Sequence, residues 1–288
     1  MKKKKRMHLQ SVSSLLLIFM GLIYALYIAG GYIKGQREYA PLRNEYTSLY
    51  QPPGKPEEKA EKETERNALQ VMQTQEQIRK KHGRKTIAAK LPENAPDPLR
   101  VDWNALLQRN GDVTGWIDLP AVNTSYPIVQ AQDNDYYLHR NIDGNYLYAG
   151  SIFLDASCSA HFSGYHTILY GHNMRDGSMF ARLKDFRDPA VLSTCRYFWI
   201  LTPSSDMLYE ICSFHAAAPE SETYRLRFDQ YSDYEKWIRD MAERSEIDTG
   251  ADLIAGDHVV TLSTCTDSSS GRIVLQGKQI WRKEKDAN

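Results

Sequence analysis

The sequence predicts a mainly β fold, a sandwich or closed barrel of short strands, behind a membrane-spanning helix and a polar stalk. Three observations lead there. From Gly115 onward the chain breaks into eight short segments rich in β-branched and aromatic residues, each bounded by Gly, Pro, Asn or Asp, the pattern of strands separated by turns. Residues 12–33 contain no charged side chain and follow the basic opening Met-Lys-Lys-Lys-Lys-Arg. Residues 34–96 are rich in Glu, Lys and Gln, with few apolar residues to bury.

In order along the chain, residues 1–11 form a basic tail. About 20 apolar residues cross a bilayer core of roughly 30 Å, so residues 12–33 are long enough to span, with Tyr24, Tyr27 and Tyr32 toward the far interface and the lysines held in the cytoplasm. The expectation is a single-pass anchor in the cell membrane with everything after residue 33 extracellular. Ala29-Gly30-Gly31 leaves open a cleavable signal peptide instead. In residues 34–96, Gln51-Pro52-Pro53-Gly54 breaks any helix, the charged stretch after it suits a solvated helix, and Leu91 to Pro98 is held extended by its prolines. This segment reads as a stalk, a spacer that needs no specific chemistry.

The compact domain is expected over residues 97–288. Asp102 can cap a short helix carrying Trp103, Leu106 and Leu107 on one face. The strands follow at Trp116–Leu119, Tyr126–Val129, Gly150–Leu154, Thr167–Tyr170, Tyr197–Ile200, Met207–Cys212, His258–Leu262 and Arg272–Gly277. A helix over Ser232 to Arg244 is predicted by a capping box of Ser232 and Glu235 and by the stripe Tyr231, Tyr234, Trp237, Ile238 and Met241, which reads as core. A shorter helix is expected from Met179 to Phe186.

With 288 residues, 42% of them hydrophobic, one good core is available, and two full domains are not expected. Lys plus Arg and Asp plus Glu both total 36, so no global field favours nucleic acid. The four cysteines, Cys158, Cys195, Cys212 and Cys265, are even in number in an exported domain. Cys195 and Cys212 nevertheless lie in apolar segments expected to be strand interior, where a free thiol packs as a small hydrophobe. Two bridges are therefore not expected. The spacing of His161, His166 and His172 around Cys158 does not match a zinc site; no metal or cofactor is expected.

The chemistry concentrates at two places. Thr261-Leu262-Ser263-Thr264-Cys265 puts a cysteine at the end of an apolar strand, and Arg272 opens the next one, so a hairpin would bring guanidinium beside thiol. Arginine is always charged and its planar donors suit both a thiolate and a developing oxyanion. Tyr170-Gly171-His172-Asn173-Met174 follows another apolar strand. An imidazole at such a junction can exchange protons with a thiol that is only slightly ionised at neutral pH. His166 is the competitor; it opens its strand, so in an antiparallel pairing it would sit at the other end, in a core or edge role.

Thr261 to Cys265 followed by Arg272 resembles the signature of sortases. The stretch Tyr170 to Phe180, with Asp133-Asn134-Asp135-Tyr136-Tyr137-Leu138 and Gly150-Ser151-Ile152-Phe153-Leu154-Asp155, resembles class B of that family. The resemblance covers about residues 97–282. It implies an eight-stranded sortase-type barrel with N-terminal helices and a long helix between the sixth and seventh strands. It also implies a cysteine transpeptidase: Cys265 would attack between Thr and Gly of an Asn-Pro-X-Thr-Gly-like C-terminal sorting motif to give a thioester, His172 would act as acid and base, and Arg272 would stabilise the oxyanion. The implied partners are surface proteins carrying that motif and an amine of a peptidoglycan precursor or wall crossbridge. Ser263, Thr264, Asn134 and Tyr224 are candidates to line the substrate groove; Ser263 and Thr264 could equally make strand-end hydrogen bonds. Two readings compete with transfer: a cell-surface cysteine peptidase or amidase with water as acceptor, and a non-catalytic anchored barrel, which predicts a buried or bridged Cys265.

Overall fold

A computed structural model describes residues 17–26, 29, 30, 33, 37, 41, 45–51, 90–265 and 271–285. The chain divides into two units, residues 1–44 and 45–288. In the first, residues 17–26 and 29–30 are helical. Among the described residues no helix is long and apolar enough to cross a membrane. The rest of the predicted span, and residues 52–89 of the predicted stalk, lie outside the described residues.

The second unit is a closed barrel of eight strands: β1 (Val113–Leu119), β2 (Thr124–Val129), β3 (Ile152–Leu154), β4 (His166–Tyr170), β5 (Tyr197–Leu201), β6 (Ser205–Ala217), β7 (Val259–Cys265) and β8 (Arg272–Glu284). Around the barrel the order is β8, β6, β5, β1, β2, β3, β4, β7. Closure leaves no unpaired edge. The pairs β2·β3 and β4·β7 are parallel and the others antiparallel. Every predicted strand is present, several of them longer than their hydrophobic pattern suggested, because polar residues continue the ladders beyond the apolar run.

Helix α1 (Trp103–Arg109) is capped by Asp102, whose side chain accepts from the Ala105 N–H; it buries Leu106 but leaves Leu107 exposed. The shorter helix expected from Met179 to Phe186 is present as a 3₁₀ helix over Ala181–Arg187. Cys195 is not in a strand; it caps the short helix α2 (Pro189–Thr194). Helix α3 (Tyr231–Glu243) lies between the sixth and seventh strands as expected, but its capping box uses Gln230 and Asp233. That start, two residues earlier, leaves Tyr231 exposed while Tyr234, Trp237, Ile238 and Met241 are buried with Cys212, Leu253 and Val259. Burial of each such large side chain is worth about 1.5–3 kcal/mol. The compact unit also reaches further back than residue 97. Tyr46 is buried with its ring edge-on to Trp116 and Tyr126, and Tyr50 pairs with Val101, so residues 45–51, assigned above to the stalk, belong to the folded body.

Parallel pairing of β4 with β7 corrects the antiparallel argument for His166. His166 is level with Val259 and Tyr170 with Ser263, so the ends of the two strands coincide and His166 is at the far end from Cys265. It is buried beneath Trp237 (ring centroids 4.5 Å apart). There Gln276 Nε2 donates to Thr261 Oγ1, Thr261 donates to His166 Nε2, and His166 Nδ1 donates to the Arg225 carbonyl. A ring held in this way is neutral, and burial pushes its pKa down to about 4. Between pH 6.5 and 4 the unfolded chain therefore binds more protons than the folded one, and stability falls as pH falls through that window. Chemical denaturation of the domain is expected to show a loss on the order of 3 kcal/mol from this residue between pH 7 and 4. His166→Gln is expected to flatten that pH dependence.

Candidate active site

The site lies at the C-terminal ends of β4 and β7. Side chains alternate along a strand, so Thr261, Ser263 and Cys265 share one face of β7, while Leu262 and Thr264 point to the other. Cys265 and Arg272 are direct partners across the β7·β8 ladder, which sends both side chains to the same face. Both are half-buried, and the Arg272 Nη1 donates to the Gly271 carbonyl at 3.0 Å. Residues 266–270, in the turn between Cys265 and Arg272, lie outside the described residues. Cys265 is free and partly exposed, unlike the buried or bridged thiol that a purely structural barrel predicts.

His172 reaches this rim because the chain leaving β4 stays on β7. The Gly171 N–H donates to the Ser263 carbonyl at 3.2 Å, and Asn173 Nδ2 donates to the Cys265 carbonyl at 2.9 Å. Glycine is required at 171: a β-carbon there would be 2.8 Å from Phe180 Cδ2. The imidazole Nε2 lies 2.8 Å from the Leu138 carbonyl. Burial, followed by the like charge of His139, lowers the His172 pKa against the opposing pull of that carbonyl.

One wall of the site is aromatic. Tyr224 Oη bonds Ser263 Oγ at 2.8 Å, and its ring lies nearly parallel to Tyr170, 6.5 Å away. Burial raises the Tyr224 phenol pKa, Arg272 lowers it and Cys265 raises it, so this hydroxyl lies within the field of both residues. Tyr170 donates to Asp155 Oδ2, which also receives Asn134 Nδ2 at 2.9 Å. Asn134 is exposed and connects to the site only through this chain of contacts. Thr264 is buried, and its hydroxyl has no hydrogen-bond partner; it is on the face away from Cys265. Tyr170, Asp155, Leu138, His139 and Tyr148 were not singled out from sequence. Tyr170 alone had a signal: like Ser263 before Cys265, it stands two residues before the functional side chain. Among the described residues no group of three His, Cys, Asp or Glu side chains could hold a metal ion.

A thiol, a guanidinium directly across a ladder, and an imidazole tied to the same strand can perform nucleophilic acyl transfer. Comparison with known proteins agrees with that chemistry. A family model for the sortase domain matches residues 117–280. Sortase B of Listeria monocytogenes is 33% identical over 190 residues, 65% of this chain and 77% of that protein. Among solved structures, sortase B of Clostridium perfringens matches with a TM-score of 0.58 and 32% identity over 62% of this chain and 98% of its own. Sortase B of B. anthracis matches with a TM-score of 0.58 and 33% identity over 75% and 97%.

Proposed function

This chain belongs to the sortase family, in its class B, and from that premise we propose that it uses Cys265, His172 and Arg272 to cut a sorting motif and pass the acyl group to a wall amine. In the first half-reaction Cys265 passes its thiol proton to His172 and its sulfur attacks the Thr carbonyl of an Asn-Pro-X-Thr-Gly-like motif. Arg272, with a backbone N–H near Cys265, holds the oxyanion that forms. Collapse breaks the Thr–Gly bond, His172 gives its proton to the leaving Gly amine, and a thioester remains. In the second half an amine of a peptidoglycan precursor or crossbridge attacks the thioester, His172 accepts its proton, and the thiol is released. Tyr224, Ser263 and Asn134, joined through Tyr170 and Asp155, would form the wall along which the motif lies. Residues 12–33 would anchor the chain in the cell membrane with the barrel outside, near both partners.

The observation that carries this reading is the register of β7 with β8, which sets Cys265 against Arg272. The test is incubation of the chain with an Asn-Pro-X-Thr-Gly peptide, with and without an added amine, followed by mass spectrometry. The expected result is a thioester adduct on Cys265 and, with amine, a product ending in Thr joined to that amine. Release of only the free acid in the presence of excess amine would favour the peptidase reading, and absence of any adduct would remove the proposed substrate class.

A further inference from the structure

Residues 136–148 cross the rim on the side of His172. Tyr136–His139 forms a 3₁₀ turn, and the loop after it returns Tyr146 and Tyr148 to the same place. The His172 ring packs on two members of this strap: His139, with centroids 5.2 Å apart at 31°, and Tyr148, at 5.8 Å and 29°. His139 and Tyr148 also stack on one another at 5.7 Å and 30°, and His139 Nδ1 donates to the Tyr148 carbonyl at 2.8 Å. The three rings therefore form a triangular cluster in which each touches the other two and is tilted from them by about 30°. Tyr148 is 55% exposed and Tyr146, 6.3 Å from His139, is 77% exposed, so this cluster is not there to fill the core.

The contact with Leu138 sets the protonation chemistry of His172. A carbonyl only accepts, so Nε2 must carry hydrogen in both the neutral and the charged ring. That leaves Nδ1 as the nitrogen that exchanges the proton. In many nucleophile–imidazole pairs a carboxylate fixes the tautomer; here a backbone carbonyl takes that place and the two rings fix the tilt. We propose that His139 and Tyr148 are positioning residues that, with the Leu138 carbonyl, hold His172 as its Nε2–H tautomer and present Nδ1 to the reacting groups. The inference rests on the assignment of His172 as acid and base.

The stack also has an electrical consequence. A carboxylate third member would favour imidazolium, whereas His139 brings a like charge when protonated and disfavours it. The other titratable groups around the site are Cys265 on β7, Arg272 on β8, Tyr170 at the end of β4, Tyr224 before α3, Arg175 and Asp176 on the loop after β4, and Arg140, Tyr146 and Tyr148 on the strap. His139 is the one whose ring lies against His172 and can share its charge state. His139→Phe keeps a ring and removes the charge, so it is expected to move the His172 titration upward, by about half a pH unit for unit charges roughly 5 Å apart in water. Tyr148→Ala leaves His172 its carbonyl but removes one of the two rings packed against it. It is expected to lower kcat roughly 10- to 100-fold, and Tyr148→Phe to restore it.

The experiment is nitrogen NMR of the imidazoles in the full chain, read for tautomer and titration midpoint, alongside the pH profile of peptide cleavage for wild type, His139→Phe, Tyr148→Ala and Tyr148→Phe. Support is a wild-type His172 in the Nε2–H form, an upward shift of its midpoint and of the alkaline limb of the profile in His139→Phe, and a kcat loss in Tyr148→Ala that Tyr148→Phe reverses. A His172 midpoint unchanged by His139→Phe, an Nδ1–H tautomer, or an unaffected kcat in Tyr148→Ala overturns the proposal. The NMR readings need no turnover, so an inactive wild type would sink the proposed reaction while the stack is still judged on its own.

Discussion

Cys265→Ala is expected to abolish the thioester adduct, and Arg272→Ala to lower kcat by about 10²- to 10³-fold. No other thiol can substitute. Cys212 is buried and Cys195 is held at a helix cap, and in both burial raises the pKa. Burial likewise pushes Cys158 up to about 11. Cys265 alone ends a strand with a guanidinium across the ladder. Because the oxyanion exists only as the reaction proceeds, removing Arg272 should reduce kcat and kcat/KM together while KM changes little. Arg272→Lys should not restore the rate, since a single ammonium lacks the planar pair of donors. Steady-state kinetics on the peptide, with mass spectrometry for the adduct, checks both. A rise in KM alone for Arg272→Ala would assign the arginine to substrate binding, and an adduct on Cys265→Ala would remove Cys265 as nucleophile.

Gly150→Ala is expected to damage stability and catalysis at once. Gly150 closes the strap that carries Leu138, His139 and Tyr148. Its φ is +58°, and an added β-carbon would lie 2.7 Å from the Leu138 carbonyl carbon and closer still to the carbonyl oxygens of Tyr137 and Leu138. The left-handed conformation alone costs an alanine about 1–2 kcal/mol. The collision is with backbone, which cannot rotate away, so a total of roughly 3 kcal/mol or more is expected. For a domain of this size that is about 10 °C in Tm. The Leu138 carbonyl that must move is the one that holds His172 Nε2, and displacement of such a contact by about 1 Å can cost a further 100-fold in rate. Gly144→Ala is the control: its φ is +76°, but the added carbon meets only Tyr136 Oη, at 3.3 Å. Thermal melts and kcat measured on both variants check this. Equal losses in the two would show that backbone conformation alone matters, and that the crowding against Leu138 does not.

Much of this was legible because it is local. Strand alternation and turn residues locate all eight strands, and the ends of three of them locate Cys265, Arg272 and His172. The exceptions have particular causes. The start of α3 moved to Gln230 because a glutamine side chain can cap as the serine pattern would. Tyr46 and Tyr50 joined the folded unit because Trp116 offers a surface for them. The antiparallel argument against His166 rested on the wrong pairing, since β4 and β7 run parallel; it is the parallel register that puts His166 at the far end from Cys265.

By itself the sequence determined which segments are strands, that one cysteine stands at a strand end, and that an arginine opens the strand after it. All of these follow from side-chain periodicity and from residues within one hairpin. Which histidine lies at the same end of the barrel as Cys265, what holds that histidine, and which polar residues line that end depend on contacts between distant parts of the chain. Leu138 to His172 spans 34 residues and Asn173 to Cys265 spans 92. Such contacts come from barrel closure and from the direction in which β4 pairs with β7. A period-two pattern is the same whether a strand pairs parallel or antiparallel, so only the folded barrel could select between them.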